Sequence, residues 1–265
     1  MGSTPVIATK SMFTGGSPVI IPFLTAGFPD VRTFRDAALA AWESGAGALE
    51  IGMPFSDPLA DGPAIQHSSQ AALDKGITIP RVLELTGQLR ARLPIPIFLM
   101  GYLNPVMRMG LDEFAGAARA AGANGTIVPD CPIEEAGAWL EASRRHHLDN
   151  VFLVAPTSSD ERIRRIERRS TVFSYCVSIA GVTGARRDVS AATKSYLGRV
   201  RRIMKKPYVV GFGISRPEHV RQLHGLADGF VVGSALVPLL ERGRQAGPAR
   251  VAGLVKSLVK AARET

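Results

Sequence analysis

Several features are scarce in this chain of 265 residues, and each scarcity bears on the class of protein. There are two cysteines, Cys131 and Cys176, and their separation fits no metal-ligand motif. One disulfide between them stays open, but a reducing compartment is the default expectation, and the cytoplasm is the simplest location. No apolar run approaches the roughly 20 residues of a membrane helix, and no signal-peptide pattern opens the sequence. We therefore expect neither a membrane partner nor secretion.

Aromatic residues make up only 6% of the chain, whereas basic residues are in excess and give a net charge of +9. The basic residues concentrate in two segments, Arg162–Arg169 and Arg199–Lys206. Both segments carry aliphatic residues at helical spacing, which predicts amphipathic helices with solvated basic faces. Sequence-tolerant nucleic-acid binding usually needs aromatic side chains among the basic ones, so we predict no nucleic-acid partner. The positive field would attract an anionic substrate.

Short apolar runs alternate with longer helical patterns along the sequence. The predicted strands are Val19–Leu24, Ala48–Gly52, Ile95–Met100, Gly125–Val128, Val151–Val154, Val172–Cys176, Tyr208–Gly211 and Gly229–Val232. The predicted helices are Arg32–Ser44, Ile65–Lys75, Pro80–Leu93, Leu111–Ala121, Ile133–His146, Glu161–Arg169, Ala191–Met204, Pro217–Leu223 and Ala249–Arg263. Continuously apolar strands are typical of parallel sheets that are covered on both faces.

Eight strands alternating with helices in about 245 residues fit the α/β class and a (β/α)8 TIM barrel. A doubly wound open sheet is the alternative, but no Gly-x-Gly-x-x-Gly pattern follows the first strand. No change in composition divides the chain. We predict a flexible N-terminal arm over residues 1–17 and a single barrel domain over residues 18–265.

Two carboxylates occur close together in the segment Ala48–Pro63. Glu50 lies within an apolar strand, where a charge is costly unless it is paired or protonated. Asp61 follows on a loop rich in glycine and proline. In a barrel both would face the mouth at the carboxyl ends of the strands, where catalytic groups lie. Two carboxylates in different environments suit general acid–base catalysis, but a structural salt bridge and a turn aspartate explain these residues equally well.

Glycine-rich turns follow the last two predicted strands. Gly211 ends strand 7 and Gly213 follows it, and Gly233 and Ser234 follow strand 8. Barrels of this type commonly bind phosphate at these two places. Glycine lets backbone N–H groups approach an anion closely. A long loop after strand 6, residues 179–187, could be a lid over the substrate.

Two tyrosines are placed near the predicted mouth. Tyr102 follows strand 3, and Tyr175 lies near the end of strand 6. Each could orient a substrate or could simply pack.

Taken together, these motifs resemble the tryptophan synthase α subunit family. The resemblance runs from about Pro18 to Lys260. Its most specific segment is Leu49–Gln66, which contains both carboxylates. The supporting motifs are Pro22–Gly27, Tyr102–Pro105, Ala180–Gly184, Gly211–Ser215 and Gly233–Ala235.

The resemblance implies a retro-aldol cleavage of indole-3-glycerol phosphate to indole and glyceraldehyde 3-phosphate. Glu50 matches the family's general acid/base, and Asp61 matches the carboxylate that accepts a hydrogen bond from the indole N–H. Phe23, Leu99 and Tyr175 match positions around the indole ring.

Further positions are assigned by the same resemblance. Gly184, Gly213 and Ser234 match the phosphate site, to which we add Gly211 and Gly233. Thr183 matches a lid residue that closes toward Asp61, and Tyr102 is included among the substrate-binding residues.

The resemblance also implies a partner. Family members work with a β subunit that carries pyridoxal phosphate, so an α2β2 complex is expected. No metal or cofactor is expected in this chain. A stand-alone lyase that releases free indole and a non-catalytic regulatory subunit are the alternatives.

Two positions depart from the family pattern. Many members have Arg where this chain has Ile179, at the start of the predicted lid. Members usually begin with an amphipathic helix beneath the barrel, and residues 1–17 lack that pattern.

Overall fold

The computed structural model describes residues 8–177, 189–211 and 213–264. Over these residues, nine parallel strands form one sheet in the order β5-β4-β3-β2-β1-β9-β8-β7-β6. The strands are β1 Val19–Thr25, β2 Leu49–Gly52, β3 Ile97–Met100, β4 Gly125–Ile127, β5 Asp149–Val151, β6 Leu153–Val154, β7 Ser174–Val177, β8 Tyr208–Gly211 and β9 Gly229–Val232.

The barrel closes through a single segment of chain that forms both β5 and β6. Strand β5 pairs with β4, and β6 pairs with β7, although only Phe152 separates them. The two ends of the sheet are therefore one continuous barrel strand that changes partner at Phe152. The predicted TIM barrel is confirmed, with the fifth predicted strand divided in two.

Side chains alternate between the inside and the outside of the barrel, as the two-residue period of a strand requires. On β3, Phe98 belongs to the interior cluster, whereas Ile97 and Leu99 belong to the cluster between the sheet and the helices. Strand β2 alternates likewise, with Leu49 and Ile51 in the outer cluster. The intervening residue, Glu50, therefore points into the barrel.

Eleven α-helices are present in the described ranges, and none combines the length and apolarity needed to cross a bilayer. They are α1 Val31–Glu43, α2 Pro63–Asp74, α3 Ile79–Arg90, α4 Leu103–Met109, α5 Leu111–Ala120, α6 Gly137–Arg145, α7 Asp160–Arg169, α8 Ala191–Ile203, α9 Pro217–Gln222, α10 Val237–Leu240 and α11 Gly243–Arg263. Helices α4 and α10 are absent from the predicted set, because short helices show a periodic pattern only weakly, whereas the short α9 is in that set. The two basic segments form α7 and the end of α8, as predicted.

The N-terminal end of the barrel is covered by a short 3-10 helix, Thr9–Phe13. The Thr9 hydroxyl donates a hydrogen bond to Asp149 Oδ2 at 3.0 Å, and the Phe13 ring packs edge-on against Phe173 at 5.7 Å. Within the predicted arm, Thr9 and Phe13 therefore contact the barrel, most of the other described residues of the arm are exposed, and residues 1–7 lie outside the described ranges.

Candidate active site

Strand β2 holds Glu50 in the barrel interior between two aromatic neighbours. In the register of the sheet, Glu50 lies beside Phe23 of β1 and Phe98 of β3. Its exposed fraction is 1%. Neither carboxyl oxygen has a hydrogen-bond partner among the described residues.

Burial dominates the electrostatics of Glu50. Removal from water disfavours the charged carboxylate and, with a smaller contribution from the negative charge of Asp61, raises the pKa of Glu50 to about 8. Glu50 is therefore mostly protonated at neutral pH. A protonated carboxyl with no competing hydrogen bond can donate its proton to a substrate and take one back.

Asp61 lies near the end of the loop that joins β2 to α2, and it differs from Glu50 in having a hydrogen bond. Burial raises the pKa of Asp61 to about 6, and the Tyr102 hydroxyl opposes this rise by donating to Asp61 Oδ2 at 3.0 Å. The same hydroxyl oxygen accepts from the Ala60 N–H at 3.0 Å. At neutral pH a largely ionised Asp61 on this loop therefore lies close enough to a largely neutral Glu50 for its charge to raise the pKa of Glu50.

A narrow cleft opens above these residues at the carboxyl ends of β1, β2 and β3. It is lined by Phe23, Thr25, Gly52, Met53, Asp61, Ile65, Ser69, Met100, Gly101 and Tyr102. Glu50 does not line this cleft. It lies one layer below Gly52, two residues earlier on the same inward face of β2.

The position of Leu99 differs from the one that the sequence-based assignment requires. Its prediction as an indole contact is wrong, because Leu99 is fully buried on the outer face of β3, among residues that pack against the helices. The next residue, Met100, points inward and lines the cleft. Strand alternation from Phe98 could have found Met100, since a shift of one residue changes the face of the sheet.

Phe23 and Tyr175, which the resemblance places around the indole ring, both belong to the interior cluster. Two glycines give these rings room. A Cβ atom on Gly52 would overlap the Phe23 ring, and one on Gly211 would overlap the Tyr175 hydroxyl. Burial above all, and then the charges of Glu50 and Asp61, raise the pKa of Tyr175 well above its ordinary value, so Tyr175 is a neutral group of the interior.

The turns after β8 and β9 lie side by side because these two strands are paired. Gly211 ends β8, and Gly213 has a positive φ of 52°, which favours glycine. After β9, the Leu236 N–H donates to the Gly233 carbonyl at 2.7 Å, so Gly233 and Ser234 form a tight turn before α10. The predicted phosphate residues of these two turns are therefore neighbours at the barrel mouth.

Some predicted positions lie outside the described residues. They are Thr183 and Gly184 of the predicted lid, together with Ile179. Within the described ranges, no three His, Cys, Asp or Glu side chains are arranged to hold a metal ion. Both cysteines are buried and unlinked.

A (β/α)8 barrel with one carboxylate inside it, a second carboxylate at its mouth and a pair of glycine turns at the same mouth has the layout of an acid–base barrel enzyme that acts on a phosphorylated substrate. Comparison with known proteins specifies the family. The family model for the tryptophan synthase alpha chain matches residues 11–263. The chain belongs to this family.

Individual relatives agree with the family model. The tryptophan synthase alpha chain of Geobacter sulfurreducens is 47% identical over 84% of both chains, and that of a Picosynechococcus species is 43% identical over 95% of this chain and 96% of the relative. Among solved structures, the tryptophan synthase a2b2 complex of Pyrococcus furiosus contains a chain with a TM-score of 0.87 and 39% identity, with 92% and 98% coverage. The alpha subunit from Legionella pneumophila gives a TM-score of 0.88 at 33% identity, with 97% coverage of each chain.

Proposed function

We propose that this protein, as a carbon–carbon lyase, cleaves indole-3-glycerol phosphate to indole and glyceraldehyde 3-phosphate, a step in the synthesis of L-tryptophan. The observation that carries the proposal is the position of the two carboxylates: Glu50 points into the barrel with no hydrogen-bond partner among the described residues, below a cleft that Asp61 lines. Their pKa values, about 8 and about 6, agree with an acid form of Glu50 beside an ionised Asp61 at neutral pH. The bond that breaks joins indole C3 to the carbon that bears the neighbouring hydroxyl of the glycerol chain. Carbon C3 gains a proton, and that hydroxyl loses one as it becomes the aldehyde.

Glu50 performs the proton transfers in this proposal. Its protonated carboxyl delivers a proton to C3, and the resulting carboxylate removes the proton from the glycerol hydroxyl. The proton count is thereby balanced within one residue, and no external acid is needed. Because the pKa of Glu50 is about 8, the acid form is available at neutral pH, where an ordinary glutamate would be ionised.

Asp61 holds the indole ring. Protonation at C3 places positive charge on the ring nitrogen, and an ionised carboxylate that accepts the N–H hydrogen bond stabilises that charge. Tyr102 orients Asp61 through the 3.0 Å hydrogen bond between them. Phe23, Met100 and Tyr175 supply apolar surface beside the ring.

The phosphate of the substrate binds at the paired turns that contain Gly211, Gly213, Gly233 and Ser234. Backbone N–H groups of such turns bind anions without a charged side chain. Thr183 and Gly184 complete the site in this proposal, as lid and phosphate contacts. The net charge of +9 favours approach of the anionic substrate.

A pyridoxal-phosphate β subunit is the proposed partner, in an α2β2 complex, and this chain itself would need no cofactor. The structurally similar chain from Pyrococcus furiosus comes from an a2b2 complex of tryptophan synthase, which supports this assembly. Two exposed apolar side chains near the barrel mouth, Leu59 at 93% and Met107 at 59% exposure, offer surface for docking. A cytoplasmic location stays a prediction.

Indole release by the purified chain, with and without a β subunit, tests the proposal. We expect release of indole from indole-3-glycerol phosphate, a rate that changes when the β subunit is added, and co-elution of the two chains on size exclusion. Activity that is high and indifferent to the β subunit would instead identify a stand-alone lyase. No indole under either condition would favour a non-catalytic subunit.

Two isosteric variants test the roles of the carboxylates. Glu50→Gln and Asp61→Asn should each lower kcat by about 10²-fold or more, because each removes a group that acts in the transition state. Glu84→Gln is the matched control, since Glu84 lies on the surface in an ion pair with Arg81. Wild-type turnover by Glu50→Gln would refute the proposed mechanism.

A further inference from the structure

The loop that carries Asp61 has few internal contacts to fix its shape. It spans residues 53–62, between β2 and α2, and its Leu59 side chain is 93% exposed. The backbone hydrogen bonds within it are short-range, from the Leu59 N–H to the Asp57 carbonyl and from the Asp61 N–H to the Pro58 carbonyl, both at 2.9 Å. Contacts from outside the loop must therefore set the position of Asp61.

Ser69 supplies such a contact at the first half of the loop. Its hydroxyl oxygen accepts a hydrogen bond from the Phe55 N–H at 2.9 Å, and the same hydroxyl lies 3.2 Å from the Phe55 carbonyl, to which it donates. Ser69 is 5% exposed. One side chain thus satisfies both backbone groups of one loop residue, and this fixes Phe55 more firmly than a single hydrogen bond would.

Phe55 passes this restraint on to Asp61. The Phe55 ring packs on the Tyr102 ring with 5.2 Å between centroids. The Tyr102 hydroxyl binds both the Ala60 N–H and the Asp61 carboxylate. If Phe55 moved, the Tyr102 ring would lose a packing contact, and its hydroxyl would hold Asp61 in a less fixed position.

The helix that bears Ser69 is itself anchored to the barrel. The preceding residue, Ser68, is fully buried, and its hydroxyl lies 2.7 Å from the Thr25 hydroxyl at the end of β1. Ala72, one turn later, is also fully buried. Ala64, Ile65 and Ala71 of the same helix also pack against the core. Helix α2 therefore keeps its position without depending on the Ser68 hydrogen bond alone, and Ser69 can hold the loop from it.

We propose that Ser69 is a positioning residue, which holds the backbone of Phe55 and thereby keeps Tyr102 and Asp61 in the geometry that catalysis needs. This inference rests on the proposed function. Ser69 acts through the loop and not on the reacting atoms, because its hydroxyl is engaged as both donor and acceptor with Phe55.

Ser69→Ala tests the proposal, with Ser68→Ala as the matched control from the same helix. We expect Ser69→Ala to lower kcat and kcat/KM together by about tenfold, since small misplacements of catalytic groups cost this much or more. Ser68→Ala should lower the thermal midpoint but leave kcat within about threefold of the wild type, because the loop keeps its contact with Ser69.

The pH profile separates positioning from a loss of stability. The titratable groups that face Asp61 are Glu50 of β2, Tyr102 and Tyr175 of β7. Tyr102 is the one that lowers the pKa of Asp61 through a hydrogen bond. A looser Tyr102 therefore raises this pKa, and the acid limb of kcat/KM moves to higher pH in Ser69→Ala but not in Ser68→Ala. Equal rate losses in the two variants with unmoved acid limbs, or a kcat for Ser69→Ala within about twofold of the wild type, would overturn the proposal.

Hydrogen exchange gives a readout that needs no substrate. Amides of residues 53–62 should exchange faster in Ser69→Ala than in the wild type, while the same amides in Ser68→Ala stay close to the wild type. Unchanged exchange in Ser69→Ala would refute the restraint even if the enzyme is active. An inactive wild type would instead refute the proposed function, and the exchange result would still decide whether Ser69 holds the loop.

Discussion

Replacing Glu50 by glutamine should remove a loss of stability that grows as pH rises, as well as most of the activity. Glu50 titrates near pH 8 when folded, against an ordinary value of 4.5, so the folded state favours the protonated carboxyl. A group with a raised folded pKa contributes its full stability below the unfolded pKa and loses it as pH rises through the folded pKa. The wild type therefore loses stability between about pH 4.5 and pH 8.

The size of this loss follows from the two pKa values. Integrating the linkage relation from about pH 4.5 to pH 7 gives about 3 kcal/mol, and the full shift corresponds to about 5 kcal/mol. Glutamine has nearly the same shape but does not titrate, so Glu50→Gln lacks this pH dependence. Burying the amide without partners has its own cost of about 1–3 kcal/mol, but that cost is the same at every pH.

Urea unfolding of the wild type and Glu50→Gln at pH values from about 4.5 to 8 measures the difference. The stability of the variant relative to the wild type should rise by about 3 kcal/mol between about pH 4.5 and pH 7. Asp61 also has a raised pKa, but it is present in both proteins and its contribution cancels. A difference that stays constant over this range would show that Glu50 is ionised in the folded protein and would refute the assignment of an acid at neutral pH.

Three further predictions concern other parts of the molecule. Tyr102→Phe removes the hydrogen bond that lowers the pKa of Asp61, so the acid limb of kcat/KM should move to higher pH, and an unmoved limb would contradict this. Gly213→Ala places a side chain at φ 52°, which costs about 1 kcal/mol and should raise KM more than it lowers kcat; an unchanged KM would argue against a phosphate contact there. Arg90 is buried with one hydrogen bond, from Nη1 to the Ile95 carbonyl at 2.8 Å, and two guanidinium nitrogens without partners in the described structure. Arg90→Met should therefore change the free energy of unfolding by less than about 1 kcal/mol or increase it, and a loss above about 3 kcal/mol would show that the charge is better compensated than these contacts indicate.

The barrel was predictable from the sequence because the number and spacing of apolar runs leave few topologies open. The eight predicted strands lie within a few residues of the observed positions, and Tyr208–Gly211 and Gly229–Val232 agree in both bounds. The change of partner at Phe152 was not predictable, because pairing depends on which neighbours the closed sheet brings alongside. Helices α4 and α10 were not predicted, because a helix of four to seven residues shows its period only weakly, although α9, with six residues, was predicted.

The active site, too, was predictable from the sequence only in part. The sequence alone determined that Glu50 is a charge in a buried strand, that Asp61 is on the following loop and that glycine turns end the last two strands. Residue chemistry left the roles of the two carboxylates open, and only the resemblance to a family separated them. Leu99 shows that a role taken from a family must be assigned to the right residue, because a shift of one position along β3 moves the side chain to the other face of the sheet.

Only the tertiary structure decided which polar groups meet. The pKa of Glu50 depends on burial among side chains from β1, β2 and β3, and Tyr102 reaches Asp61 across 41 positions of sequence. Ser69 and Phe55 are 14 residues apart, and their contact depends on how α2 folds back over the loop. Periodicity and composition are local properties of a chain, whereas desolvation and hydrogen bonding are properties of the space that distant segments enclose together.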